Sequence, residues 1–196
     1  LEAARRAPEI RQVGSRYTVK RLDELNGLRS DYSPMLLGDD ADEIYFTSTR
    51  KEAEGDELSG ITGMKPGDIF YSTKDDKGKW TKPVAVTGVN SAYDEGACSF
   101  SPDGREMYLT QCDTDPSSPR YAKIMKADRA DASWGKPSVV ELSRDTLSSF
   151  AHPAVSPDGE WLYCTSDMPG GMGGLDLWRV RITGHGFGGV ENLGSQ

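Results

Sequence analysis

The chain has 196 residues, of which 36% are hydrophobic, and a formal net charge of -8. This length can bury one sizeable core, and no run of 18 apolar residues is present that could cross a membrane. The acidic balance and scattered basic residues argue against nucleic-acid binding, which needs clustered Lys and Arg. The 22 Gly and 11 Pro are typical of a turn-rich, all-β protein.

The N-terminal region comes before any repeated sequence. Residues 1–12 are the only stretch that could be mainly helical, and we interpret residues 1–16 as a tail or as the end of a preceding domain. Residues 17–22 are predicted to be the outer strand of a preceding or closing blade. A connector containing Asn26 follows, and a similar connector containing Asn90 recurs later.

The tetrapeptide Ser-Pro-Asp-Gly occurs twice, 55 residues apart, and a degraded third copy spans residues 38–41. Proline presets φ near -65° at the first central position of a tight turn, and glycine supplies the positive φ that follows. Between apolar runs, each copy therefore predicts a β-hairpin. The residues that define the turns are Pro102, Asp103, Gly104, Pro157, Asp158 and Gly159.

Two further apolar runs follow each hairpin, which makes four strands per repeat. The third strand begins near Asp68 in the first repeat and near Asp176 in the third, and the fourth follows Trp80 or Trp134 in the first two. Four strands in roughly 55 to 63 residues are typical of a β-propeller blade. The predicted fold is all-β, with about three blades at 33–87, 97–142 and 152–193.

Asp68 and Asp176 can accept hydrogen bonds from a neighbouring turn and so tie a strand to a loop. Lys123 occupies this position in the second repeat, so the role is not uniform. An open arc of three blades leaves an apolar face exposed at each end. We therefore expect further blades from a longer protein, or association of copies to complete the ring. The insertion at residues 51–66 is expected to project and either contact a partner or be mobile.

No metal, cofactor or catalytic site is predicted. The acidic pairs lack the 12-residue calcium loop, so we interpret them as solvated turn charges. The cysteine spacings carry no zinc or redox signature, and Cys164 is predicted to face the core. The hairpin is expected to place Cys98 opposite Met107, so a disulfide with Cys112 requires the loop to bend back.

Residues near His152 do not predict an enzyme. Ser148 and Ser149 are close to it in sequence, but a Gly-x-Ser-x-Gly nucleophile elbow is missing. We expect His152 to form hydrogen bonds within its connector. The glycine-rich residues 170–174 precede a strand-like run and not a helix, so we predict a flexible loop and not a phosphate site.

The Ser-Pro-Asp-Gly hairpins, the third strand around Asp176, and Trp80 and Trp134 resemble PD40 repeats, the TolB-like relatives of WD40 propellers. The resemblance covers about residues 17–196. Residues 30–36, 59–70 and 150–156 are further similar to the propeller region of Bacteroidota envelope proteins. Those proteins carry an OmpA-like peptidoglycan-binding domain and include a component of type IX secretion.

The resemblance implies a periplasmic, outer-membrane-associated scaffold without catalytic residues or a cofactor. Its expected partners are other envelope or secretion-system proteins, and peptidoglycan would be contacted only through a domain outside this chain. Two alternatives stay open. The chain could be an accessory propeller that gates a serine peptidase, or a propeller that binds a peptide or sugar in its central channel.

Overall fold

The computed structural model describes residues 2–14, 16–38, 40–54, 58, 63–113, 115, 117 and 121–194. One helix, α1 (Glu2–Val13), opens the chain, and none of its residues is buried. No helix in these ranges has the length and apolar character needed to cross a membrane. Residues 17–22 form no strand, and their place as the outer strand of another blade stays a prediction.

Three antiparallel sheets account for the rest of the described fold. Blade 1 consists of β1 (Asp31–Leu37), β2 (Glu43–Ser48), β3 (Asp68–Thr73) and β4 (Val84–Ala85). Blade 2 consists of β5 (Asp94–Phe100), β6 (Glu106–Cys112), β7 (Ala122–Ala130), β8 (Ser133–Trp134) and β9 (Ser138–Val139). Blade 3 consists of β10 (Phe150–Val155), β11 (Trp161–Ser166), β12 (Asp176–Thr183) and β13 (Gly186–Asn192). The predicted all-β fold of consecutive antiparallel blades is confirmed.

The outer strand is interrupted in blades 1 and 2. Trp80 makes an isolated bridge to Lys74 before β4 begins, and β8 and β9 each pair with β7. Pro83 and Pro137 lie directly before β4 and β9, and proline has no N–H with which to continue a ladder. The run predicted as one fourth strand in blade 2 is therefore two short strands.

Both Ser-Pro-Asp-Gly segments close the first two strands of their blades with the same hydrogen bonds. In blade 2, Ser101 N donates to Glu106 O at 2.9 Å, and Ser101 Oγ donates to Asp103 Oδ1 at 2.6 Å. Gly104 has a φ of 67°, which glycine adopts without strain. In blade 3, Ser156 and Asp158 form the equivalent bonds.

The position predicted for Cys98 is wrong. Phe100, and not Cys98, lies opposite Met107, because the turn encloses four residues between its paired ends and not two. Cys98 instead lies in an irregularity of β5, where the register shifts, and its side chain is buried. All three cysteines are free, and Cys164 faces the core as predicted.

Each first strand contains a bulge whose residue has a positive φ. These residues are Ser33 at 51°, Ala97 at 46° and His152 at 54°. The N–H of Ala97 donates to Thr47 Oγ1 of blade 1 at 3.1 Å. The N–H of His152 donates to Thr110 Oγ1 of blade 2 at 2.8 Å. The bulge therefore turns a backbone donor away from its own ladder and towards the preceding blade.

Apolar side chains fill both interfaces between blades, and the same repeat positions supply them. The cluster between blades 1 and 2 includes Tyr45, Ile69, Val86, Met107 and Leu109. The cluster between blades 2 and 3 includes Tyr108, Ile124, Val140, Leu162 and Cys164. On the other face of blade 1, the Arg50 guanidinium lies 5.0 Å from the ring centre of Phe46 and 4.8 Å from that of Phe70.

We predict that Thr110→Val lowers the free energy of unfolding by about 1 kcal/mol, because the partly buried His152 N–H loses its acceptor while the side-chain shape is kept. Urea denaturation measures this change. Thr183→Val is the matched control, because the Thr183 hydroxyl donates to Gly186 O and accepts from His185 N within one exposed hairpin and makes no cross-blade bond. Equal losses for the two variants would show that the cross-blade bond adds no stability.

Candidate binding site

The first strands of the three blades lie next to one another, since β5 contacts both β1 and β10. Their N-terminal ends define one end of the molecule, which we call the entry end. The Ser-Pro-Asp-Gly turns lie at the opposite end, which we call the turn end. Pro102, Asp103 and Gly104, together with Pro157, Asp158 and Gly159, are therefore remote from the entry end.

The two tryptophans support the blades. Trp134 is buried, and its Nε1 donates to the Tyr45 hydroxyl at 3.2 Å across the interface between blades 1 and 2. Trp80 lies at the edge of blade 1, with Lys74 Nζ 5.0 Å from its ring centre. Both side chains lie beside the end of a third strand, since Trp80 pairs with Lys74 and Trp134 with Arg129.

Asp68 and Asp176 each hold the loop that precedes their strand. Asp68 Oδ2 accepts from Glu54 N at 2.7 Å. Asp176 Oδ2 accepts from Met172 N at 2.7 Å and from Gly173 N at 3.0 Å. Backbone N–H groups of the glycine-rich loop, residues 170–174, thus bind the Asp176 carboxylate of the same blade. Part of the insertion in blade 1, residues 55–57 and 59–62, lies outside the described residues.

Three carboxylates meet where blades 1 and 2 join at the entry end. Asp94 Oδ1 accepts from Gly67 N at 2.9 Å, and Glu95 N donates to Gly67 O at 2.8 Å. The Glu95 carboxylate accepts from Ser91 and from Gln111 Nε2, the latter at 2.9 Å. Asp68 and Glu95 are fully buried, and Asp94 is half-buried.

Burial raises the pKa values of all three carboxyl groups. Burial raises the pKa of Asp68 to about 7, and the nearby charges of Glu95 and Asp94 add to the increase. Burial also raises the pKa values of Asp94 and Glu95, although their hydrogen bonds act in the opposite direction. Asp68 Oδ1 has no hydrogen-bond partner among the described residues. Neutral pH therefore lies within the titration range of Asp68.

Asp94 itself belongs to a partly exposed surface beside the buried Asp68 and Glu95. We call it the rim cluster, and it consists of Tyr32, Asp94, Cys112 and Tyr121. Asp94 and Cys112 are paired across β5 and β6, and a Cβ placed on Gly67 would lie 2.9 Å from both the Tyr32 hydroxyl and Asp94 Oδ1. Burial, aided by the charge of Asp94, raises the pKa of Tyr32 to about 12. The same charge adds to the raised pKa of Tyr121.

The rim cluster can bind but has no reactive group suited to nucleophilic chemistry. Burial and the charges of Asp94 and Glu95 raise the pKa of the Cys112 thiol to about 11, so it is not a thiolate at neutral pH. No three His, Cys, Asp or Glu side chains in the described ranges are placed to hold a metal ion. The two tyrosine rings and the carboxylate instead present apolar faces beside a hydrogen-bond acceptor.

The histidine near Ser148 is placed differently from the prediction. His152 Nδ1 lies 3.0 Å from Thr165 Oγ1 on the adjacent strand, and not within the connector. Ser148 Oγ bonds the Asp145 carboxylate. No hydrogen bond of the described residues joins Ser148 to His152, because the bulge directs the histidine along its own sheet.

Sequence reasoning did not identify the rim cluster. Asp94 and Glu95 belong to the predicted connector, where acidic residues are expected to be solvated. The position of Glu95 in the repeat is the one signal in the sequence that could have revealed its burial. Glu95 is the second residue of β5 and occupies the position that Phe150 has in blade 3. An acid in an apolar position indicates a polar interface.

We predict that Asp68→Asn stabilises the chain at about pH 8 and has a much smaller effect at about pH 5. The folded state binds the Asp68 proton more tightly than the unfolded chain, whose carboxyl has the ordinary pKa of 3.8. The stabilisation from protonated Asp68 is therefore complete below about pH 4 and is lost as the pH rises through about 7. Asparagine stays neutral and keeps the acceptor for Glu54 N.

Thermal unfolding at the two pH values measures this difference. Asp158→Asn is the matched control, because hydrogen bonds to Ser156 and Glu160 N lower the pKa of Asp158, and both pH values lie above it. Its effect on Tm should be the same at both. A stabilisation by Asp68→Asn that does not depend on pH contradicts the assignment of the proton to Asp68.

No protein-family model matches the chain, and no curated protein matches it. Solved structures do match. TolB from Acinetobacter baumannii is 20% identical with a TM-score of 0.52, and the match covers 86% of this chain and 33% of that one. A puromycin-hydrolyzing peptidase from Mycobacterium tuberculosis is 20% identical with a TM-score of 0.50, and the match covers 82% of this chain and 22% of that one.

These similarities concern the fold, because the sequence identities are low. The chain spans about a third or less of the length of either matched protein. The neighbours include TolB and a peptidase, in agreement with the TolB-like propeller class that the repeats resemble. The described residues thus form three consecutive blades with the β-propeller fold that these structures share.

Proposed function

We propose that this chain is a non-catalytic protein-interaction module and that its rim cluster binds a partner. The observation that carries the proposal is the pair of exposed tyrosines beside a half-buried carboxylate. Tyr32 is 43% exposed and Tyr121 is 36% exposed, next to Asp94. Tyrosine is enriched at protein interfaces because it combines a large apolar ring with a hydroxyl group.

The electrostatics of the rim favour a basic partner segment. Asp94 and Glu95 lie at the site, Asp113 is close to Tyr121, and the charge of Asp113 acts on its phenol. The whole chain carries a formal charge of -8. A Lys or Arg side chain or a free amine would pair with Asp94 and stack on a tyrosine face. We infer that the bound segment donates hydrogen bonds and carries positive charge.

The proposed location is the periplasm, in association with the outer membrane. It rests on the resemblance of the repeats to envelope propellers, among them the propeller region of the type IX secretion component PorE. In this proposal the partners are envelope or secretion-system proteins. Peptidoglycan would be contacted through a domain outside this chain.

The similarity to a peptidase favours a second candidate function, an accessory propeller that admits substrates to a peptidase domain. The two candidates differ in what the full gene encodes. A peptidoglycan-binding domain supports the scaffold, and a domain with a Gly-x-Ser-x-Gly elbow supports the peptidase accessory. Consistent turnover of a peptide or ester substrate by the pure chain would contradict a non-catalytic module.

We predict that Asp94→Asn combined with Tyr121→Ala reduces recovery of cross-linked partners from native envelopes at least tenfold, since the pair removes a charge and an aromatic face. Asparagine retains the acceptor for Gly67 N, so the fold is preserved. Quantitative mass spectrometry of the cross-linked proteins measures the loss. Recovery from the unmodified chain should also fall between about 0.05 and 0.5 M salt.

Asp128→Asn is the matched control, because Asp128 is an exposed carboxylate near the turn end. It should leave the recovered proteins unchanged. Equal recovery by the double variant and the unmodified chain, with unchanged circular dichroism, would place the binding surface elsewhere.

A further inference from the structure

Two arginines lie side by side at the turn end of blade 2. Arg129 N donates to Arg105 O at 2.7 Å, one position beyond the pair of Glu106 and Asp128 that begins the ladder of β6 and β7. Residues that face each other in an antiparallel pair project their side chains to the same side of the sheet. Like charges in such a pair repel each other. An anion bound between the two guanidinium groups would offset this repulsion.

The other two blades do not place like charges at this position. In blade 1, Lys74 N donates to Asp42 O at 2.9 Å, which pairs opposite charges. In blade 3, Ile182 N donates to Glu160 O at 2.8 Å, which pairs an apolar side chain with an acid. The architecture of a blade therefore does not require two arginines here. Among the three described blades, the arginine pair is a feature of blade 2 alone.

Both arginines line a cavity of about 870 Å³ at the turn end. This volume is within the range of small-ligand sites in proteins. The walls of the cavity come from blades 1 and 2, with Val155 of blade 3 at one side. Blades 1 and 2 are consecutive and pack on each other, so a further blade of a longer protein cannot lie between them. The chain therefore supplies both walls of the cavity itself.

The Arg129 guanidinium is held in one position. Its Nη2 donates to Glu43 Oε1 of blade 1 at 3.1 Å, and its plane lies over Trp134, 5.4 Å from the ring centre. The Tyr45 hydroxyl donates to Glu43 Oε2 at 2.9 Å and accepts from Trp134 Nε1 at 3.2 Å. No hydrogen bond of the described residues uses Nε or Nη1 of Arg129. The guanidinium is therefore oriented by its neighbours and keeps donors for a ligand.

The Arg105 guanidinium is exposed and forms no ion pair with another described residue. Besides Glu43, two acids line the cavity. Asp103 Oδ1 accepts from the Ser101 hydroxyl at 2.6 Å and from Arg105 N at 3.1 Å, so the turn itself uses this oxygen. Asp131 lies exposed in the turn between β7 and β8. Arg105 is thus the cation of the cavity that remains available to an anion.

Apolar side chains line the same cavity. Leu36 is 51% exposed although it lies within β1, and Leu37 and Phe100 are partly buried beside it. An apolar surface next to a pair of guanidinium groups suits a ligand that combines an apolar body with an anionic group. A carboxylate is the anionic group that matches the planar, forked donors of arginine.

We propose that this cavity binds an organic carboxylate that carries an apolar group. We call the site the arginine cleft, and it consists of Leu36, Leu37, Phe100, Arg105 and Arg129. The carboxylate accepts from the free donors of Arg129 and from Arg105, and the apolar group packs on Leu36 and Phe100. A small free acid and the C terminus of a peptide both offer this chemistry. The cleft lies at the turn end, so the proposal does not depend on the rim cluster.

Isothermal titration calorimetry of the whole chain at about 0.05 M salt tests the proposal. The probes are hydrocinnamate and an acetylated tripeptide that ends in phenylalanine with a free carboxylate. We expect at least one probe to bind with a Kd below about 1 mM. Binding of hydrocinnamate alone identifies a small free acid as the ligand, and binding of the tripeptide alone identifies a peptide C terminus. Acetate, inorganic phosphate and the tripeptide amide should bind roughly tenfold more weakly or not at all.

Variants of the cleft test the roles of its charges. Arg105→Gln should weaken binding roughly tenfold or more without lowering Tm, because it removes a like charge from the pair. Arg144→Gln is the matched control, because Arg144 is an exposed arginine in the connector before β10. It should leave binding unchanged. Asp131→Asn should tighten binding about two- to threefold, since it removes a negative charge and asparagine tolerates the φ of 54° at this position.

Three results would overturn the proposal. The first is the absence of saturable binding by either probe, as expected if the two arginines are only solvated. The second is a Kd that Arg105→Gln leaves unchanged or that Asp131→Asn raises, which would place the ligand elsewhere or give it a positive charge. The third is equal binding of hydrocinnamate, acetate and inorganic phosphate, which would leave the apolar wall of the cleft without a role.

Discussion

The hydrogen bond from a bulged first strand to a threonine of the preceding blade is the constraint on which this architecture depends. The backbone hydrogen bonds of an antiparallel sheet are made within that sheet. If only apolar side chains joined two blades, their position relative to each other would therefore be loosely defined. The bulges at Ala97 and His152 direct one backbone donor out of each ladder. Thr47 and Thr110 accept these donors and so fix the register between blades.

The carboxylates at the entry end depend on the same register. Glu95 lies in the strand that contains the Ala97 bulge, and its backbone N–H donates to the carbonyl of Gly67, the residue before Asp68. Fixing blade 2 against blade 1 therefore buries Asp68 and Glu95 close to each other, where burial favours their protonated forms. Asp94, the neighbour of Glu95, remains half-buried at the surface. The packing of blade 2 on blade 1 therefore affects both the stability of the fold and the protonation of the carboxyl groups at the rim cluster, which we propose as a binding surface.

The local sequence was sufficient to predict the strands and turns of each blade, but it was not sufficient to predict the contacts between blades. Pro102 and Gly104 encode their turn within four residues, and the repeat of that turn reveals the strand order. The Ala97 bulge has no comparable local signal, since alanine does not favour a positive φ and its acceptor lies 50 residues away. The burial of Glu95 was missed for the same reason, because residues of two blades enclose its carboxylate.

Backbone amide hydrogen exchange measured by NMR tests the cross-blade bond most directly. The account predicts strong protection of the Ala97 and His152 amides, although neither belongs to a regular ladder. Thr47→Val should accelerate exchange at Ala97 and leave His152 protected, because each threonine accepts from one bulge only. Rapid exchange at both amides in the unmodified chain, or exchange at Ala97 that is insensitive to Thr47→Val, would contradict it.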